Sequence, residues 1–120
     1  MMSVTLYHNS RCSTSRATLQ LLVEHGHNPL IIDYLRHPPE AATLQQLLVM
    51  LGFNSARQLM RKKESLYKSL QLDETTLTEQ QLLSSMVNHP ILIERPIVVF
   101  GTKAVIGRPP EQVLRLFSAA

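Results

Sequence analysis

The segment His8-Asn9-Ser10-Arg11-Cys12-Ser13-Thr14-Ser15-Arg16 holds the residues best equipped for chemistry. It follows a short apolar run, Ser3 to Tyr7, that reads as a strand. A helical pattern comes next and runs to about His25, with Ser13 as N-cap and Ala17, Leu21 and Leu22 on the buried side. A strand-to-helix turn leaves backbone N–H groups unpaired and points the positive end of the helix dipole outward. Such a place favours anions, whether a bound oxyanion or a thiolate. Cys12 is the only cysteine in the chain. A lone cysteine is ordinarily a small buried hydrophobe, but serine, threonine and arginine neighbours argue against an oily setting here. A partly exposed, electropositive cysteine at a helix N-terminus has a depressed pKa and reacts as the thiolate. Cys12 is therefore the expected nucleophile.

Spacing narrows the redox class. Ser15 stands where a C-x-x-C protein carries its second thiol, so an adduct or mixed disulfide on Cys12 cannot be resolved within the chain. The resolving thiol must come from outside, with glutathione or a glutaredoxin as the natural candidates. Cysteine phosphatases use C-x5-R, and that spacing falls on Thr18. His8 lies four residues before Cys12 at the strand exit, where it could help hold the thiolate, although a histidine near a turn is more often a plain polar loop residue. His25, His27, His37 and His89 show no metal-ligand spacing, and no metal site is expected.

The elements that must position this segment can be read in outline. Leu30 to Tyr34 is a second strand, and two strands flanking a helix predict a parallel β-α-β unit. After Pro38 and Pro39 the middle turns helical. Leu44, Leu47, Leu48 and Leu51 recur at helical spacing and stop at Gly52, Ser55 caps a short helix with Leu59 and Met60, and Thr78 with Gln81 forms a capping box. Ile97 to Phe100 is a buried strand, Gly101-Thr102 a two-residue hairpin turn, and Ala104 to Ile106 its antiparallel partner. A last helix follows Pro109 and Pro110, burying Val113, Leu114 and Phe117. The order is that of the thioredoxin-like α/β plan. It predicts a single domain over 1–120, with a four-stranded mixed sheet, flanking helices and a helical insertion at about 40–90 between strands 2 and 3. In that plan a cis-proline at the start of the third strand faces the nucleophile. Pro96 occupies the place, which sets Arg95 beside Cys12.

Bulk properties agree with this plan. At 120 residues and 44% hydrophobic, the chain suits one core. No stretch approaches the ~18 uninterrupted apolar residues of a membrane span, and Tyr7, His8, Asn9 and Arg11 interrupt any signal-like layout, so a cytoplasmic location is expected. Net charge is +3, and the segment from Arg57 to Lys68 alone sets Arg57, Arg61, Lys62, Lys63 and Lys68 against Glu64. With aromatic residues at 5%, a nucleic-acid surface is not expected. A solvated face, a small anion or an acidic partner fits better.

Over essentially its whole length the chain resembles the glutaredoxin-coupled arsenate reductases of bacteria. The matching blocks are H-N-x-x-C-x-T-S-R from His8 to Arg16, L-x-R-K around Arg61, H-P-I-L-I-x-R-P-I-V-V from His89 to Val99, and R-P-x-E beginning at Arg108. The resemblance implies that Cys12 attacks arsenate to form a covalent thiol–arsenate and that Arg61, Arg95 and Arg108 bind the oxyanion. It also implies that His8 supports the low thiol pKa and that Ser15 and Arg16 lie at the substrate. Glutathione would then attack the adduct as co-substrate and glutaredoxin would complete the reduction, with no tightly bound cofactor. Two other readings stand beside it. Spx-like transcriptional regulators share the fold but carry a C-x-x-C switch that Ser15 removes. A general glutathione-dependent thiol oxidoreductase would need no arsenate.

Overall fold

Val4, Leu6, Tyr7 and His8 are all buried, the pattern of a strand covered on both faces rather than the alternation of an edge. The computed structural model describes residues 3–117. By internal packing these form two compact units, one built from residues 3–37 with 95–117 and the other from Pro38–Glu94.

In the first unit, β1 (Val4–His8) is central in a sheet ordered β2-β1-β3-β4. It runs parallel to β2 (Leu30–Asp33) and antiparallel to β3 (Ile97–Phe100), which pairs antiparallel with β4 (Lys103–Ile106). This is the expected thioredoxin-like mixed sheet. Helix α1 (Ser13–Glu24) connects β1 to β2 and ends in a Schellman motif, with Gly26 at φ +83° and His27 N–H donating to the Leu22 carbonyl. Gly101 at φ +64° opens the two-residue turn between β3 and β4. The core joins Val4, Leu6, Leu22, Val98 and Val113, with Leu19, Leu21, Phe100, Leu116 and Phe117 packed around them. Each such side chain contributes roughly 1.5–3 kcal/mol on full burial.

Three local readings are corrected. Helix α1 begins at Ser13, so Cys12 rather than Ser13 is the N-cap. Its inward stripe is Ser15, Thr18 and Leu22, while Ala17 is exposed. Hydropathy hides that stripe because its first two members are hydroxyl residues satisfied locally. The Thr18 hydroxyl donates to the Thr14 carbonyl at 2.9 Å, and the Ser15 hydroxyl is engaged at the turn. The final segment, Pro110–Phe117, is a 3-10 helix. Its three-residue period turns Val113 and Leu116 to one face, so Leu116 takes the core place expected of Leu114.

The second unit is helical. Helix α2 (Ala41–Leu51) ends at Gly52 in the left-handed conformation and packs Leu44, Leu47 and Leu48 inward. A 3-10 turn (Ala56–Leu59), α3 (Ser65–Ser69) and α4 (Glu79–Asn88) follow. The capping box of Thr78 with Gln81 forms as expected, and Ser55 makes a second one with Gln58. Lys62, Lys63 and Lys68 are solvated, whereas Arg57 is a staple whose Nε donates to the Leu72 carbonyl at 3.0 Å. Among the described residues no helix is long and apolar enough to cross a membrane.

Candidate active site

The register places one end of each strand side by side. Asp33 lies opposite His8, Tyr7 opposite Ile97, and Ile97 opposite Ile106. The end of β1 thus has β2 on one flank and the β3–β4 pair on the other, and the chain leaves β1 into the turn that carries Cys12.

Asn9 builds that turn from both of its acceptors. Its backbone carbonyl receives Cys12 N–H and its side-chain Oδ1 receives Arg11 N–H, each at 3.0 Å. Cys12 then sits at the N-cap in extended conformation, φ −91° and ψ 122°, and its carbonyl accepts the first helical bond from Arg16. At an N-cap a side-chain oxygen ordinarily accepts from the second or third helical N–H. Here the side-chain atom is sulfur. No capping bond of ordinary geometry closes, but the N–H dipoles of Thr14 and Ser15 act on the sulfur.

Charge completes the pocket. The partly buried thiol is pushed up by desolvation, but Ser15 N–H, the Arg95 guanidinium and Thr14 N–H together outweigh this. The net result is a thiol below its ordinary value of 9.0. Arg95 precedes Pro96 across a cis peptide bond, as expected, and its Nε and Nη1 are buried. Arg108 reaches in from the end of β4. Its Nη2 stands 3.6 Å from the Cys12 sulfur, and its Nε donates to the Arg95 carbonyl at 2.8 Å. Two arginines from distant parts of the chain thus meet at one sulfur.

Gly107 makes this approach possible. Its N–H donates to the Pro96 carbonyl at 3.0 Å. A Cβ there would lie 2.7 Å from Thr18 Oγ1 and 2.9 Å from Pro96 Cγ, closer than real side chains come. The missing side chain lets the end of β4 close against α1 and Pro96. Sequence reading passed over Gly107, Asn9 and the Thr14 N–H. An asparagine opening a tight turn was the available signal for the second, whereas the glycine's role depends on a neighbour far along the chain.

His8 ends β1, as expected of a strand exit, and meets Ser15 there. The Ser15 side chain is fully buried, and its hydroxyl lies 2.7 Å from His8 Nδ1 while accepting Asn9 N–H at 3.1 Å. It therefore braces the turn instead of facing a substrate. Burial lowers the His8 pKa and Arg16 adds to this, against an opposing pull from Asp33. The groups that act on the Cys12 sulfur are the Ser15 and Thr14 N–H groups and Arg95. His8 is thus linked to the Cys12 turn through the Ser15 hydroxyl. Arg16 is exposed and donates from Nη1 to the Ser10 carbonyl at 2.8 Å, fastening the same turn. Arg61 lies in the second unit, where Glu64 at 3.3 Å and Glu94 at 2.9 Å pair with its guanidinium.

Comparison with known proteins shows the family of the chain. The chain is 58% identical over 113 residues to the uncharacterized protein YfgD of Escherichia coli K12, covering 94% of this chain and 95% of that one. It is 49% identical over 115 residues to an arsenate reductase of Haemophilus influenzae, covering 96% and 99%. An arsenate reductase structure from Vibrio cholerae superposes with a TM-score of 0.94 at 50% identity, covering 96% of this chain and 98% of that one. The ArsC family model matches residues 7–116, which include Cys12, both arginines at its sulfur and the turn that holds them. The chain belongs to the ArsC family.

Proposed function

We propose that this protein reduces arsenate to arsenite with glutathione and glutaredoxin, through a covalent adduct on Cys12. The observation that carries the reading is a single depressed-pKa thiol with Arg108 Nη2 3.6 Å from its sulfur and Arg95 acting on it directly. A doubly charged tetrahedral anion needs such partners, and planar guanidinium forks suit its oxygens. The similar arsenate reductases support the choice of anion.

The chemistry balances in three steps. The Cys12 thiolate attacks arsenic(V), forming an S–As bond while one arsenate hydroxyl takes a proton from solvent and leaves as water, with no change of oxidation state. Arg95 and Arg108 stabilise the charge that builds on the remaining oxygens, and fixed donors do this better than reorganising water. A glutathione thiolate then attacks the Cys12 sulfur. The S–As bond breaks, its electron pair stays with arsenic as arsenic(III), and the two sulfurs end as a disulfide. Glutaredoxin's thiolate takes the glutathionyl sulfur and returns Cys12 as a thiolate. Arg61 is proposed as a further charge on the oxyanion because of its place in the family motif.

The test is arsenate-dependent NADPH consumption with glutathione, glutaredoxin and glutathione reductase. Turnover is expected in the wild type and lost in Cys12→Ser. Arsenate, but not sulfate, is expected to protect Cys12 from alkylation. Equal protection by both anions with turnover of mixed disulfides alone would instead make the protein a general thiol oxidoreductase.

A further inference from the structure

On the β2 flank of the Cys12 turn lies a polar depression of about 310 Å3, lined by Asn9, Ser10, Arg11, Asp33, Leu35 and Arg36. None of the chemistry above uses it. Two features single it out. The first is direction. Displacement at a sulfur proceeds in line, so the incoming thiol, the Cys12 sulfur and the departing arsenic must lie nearly on one axis. Arg95 and Arg108, the oxyanion's partners, border the β3–β4 side of the turn, so the attacking thiol must arrive from the other side. Asp33 ends β2 opposite His8, and β2 flanks β1 on the side away from β3 and β4, which puts the depression on that other side.

The second feature is charge. The lining offers two cations, Arg11 and Arg36, and one anion, Asp33. Arg36 and Asp33 form only a loose pair at 3.8 Å, with the arginine side chain 82% exposed. Such a pair is weak and re-partners readily. A γ-glutamyl thiol tripeptide carries two carboxylates and one ammonium, the mirror of that set. Leu35 adds an apolar wall.

We propose that this depression is the seat of the reducing thiol tripeptide, with Arg11 and Arg36 taking its carboxylates and Asp33 its ammonium. The inference rests on the reductase reading above for its direction of attack. From this seat the tripeptide thiolate forms the S–S bond to Cys12 as the S–As bond breaks on the far side and arsenic leaves with the electron pair.

The experiment uses S-methylglutathione, which keeps every charge of the tripeptide but cannot react. Titrated at millimolar concentration into isotopically labelled wild-type protein, it is expected to shift the backbone amides of residues 9–11 and 33–36. In steady-state assays, Arg36→Glu is expected to raise the KM for glutathione about fivefold, with the KM for arsenate and the Cys12 alkylation rate within twofold of wild type. Shifts centred on residues 95–97 and 107–108, no shifts at all, or an unchanged KM for glutathione would overturn the assignment. A wild type without arsenate turnover sinks the reductase reading instead, while the amide shifts still report on the depression.

Discussion

The hydroxyl of Ser15 lies 2.7 Å from Nδ1 of His8, and the same oxygen accepts the Asn9 N–H at 3.1 Å. One buried atom therefore ties the first turn of α1 to the last residue of β1. The side chain that replaces a second thiol fixes the backbone whose N–H faces the first. Ser15→Ala leaves a buried ring nitrogen and a buried N–H without this partner, a loss of about 1–3 kcal/mol. The Ser15 N–H is retained, so in urea unfolding the variant should lose stability while its alkylation-versus-pH curve shifts far less than that of an Arg95 variant.

The curve of Cys12 reactivity against pH tests the electrostatics directly. With the folded thiol below 9.0, alkylation should reach its plateau at lower pH than in the unfolded chain. Arg95→Ala removes both a hydrogen bond and a nearby positive charge from the sulfur, so the plateau should move up and the rate at neutral pH fall about tenfold or more. The linked stability term has a definite sign. Between the folded value and 9.0 the unfolded thiol binds more protons, so this contribution is fully present above 9.0 and fades as pH falls through the folded pKa.

His8 gives a second pH window. Its folded pKa lies below 6.5, chiefly through burial. As pH drops through 6.5 the unfolded chain takes up a proton that the folded chain resists, so stability falls until the folded ring also titrates. The urea midpoint of the wild type should decline across that range, and His8→Gln should flatten the decline.

Gly107→Ala would press a methyl group against Thr18 Oγ1 and Pro96 Cγ. Overpacking of this kind costs about 1–3 kcal/mol. Moving the end of β4 also moves Arg108 off the sulfur, so the KM for arsenate should rise beyond what the stability loss explains. Thr18→Ala in the same chain removes two of the three nearest atoms and should restore part of both.

Arg61 enters any anion role already paired with Glu64 and Glu94. Arg61→Ala should therefore weaken arsenate binding less than Arg95→Ala does, by about threefold or more in KM. It should also lower stability slightly, because two half-buried carboxylates lose one ion pair each.

The element order, the place of the lone cysteine and the cis-proline position were legible along the chain because each rests on local patterns. These are a strand followed by a cap and a helix, a lone cysteine at the helix start, and a proline opening an apolar run. Arg95 was legible for the same reason, as the neighbour of that proline. Its meeting with Arg108 was not, since 13 residues and a hairpin separate them and only sheet pairing closes the gap. The polar face of α1 escaped hydropathy altogether, because Ser15 and Thr18 are buried through hydrogen bonds that periodicity does not record.

By itself, then, the order of residues determined that one thiol, with no resolving partner, stands at the start of a helix after the first strand. Only the tertiary structure decided what surrounds that sulfur: which arginines act on it, that the His8 ring meets the Ser15 hydroxyl, and that Gly107 must lack a side chain. The physical reason is range. Caps, turns and periodicities are set by neighbours a few residues apart, whereas the electrostatics and packing at a site sum over atoms that only the folded sheet brings within a few ångströms.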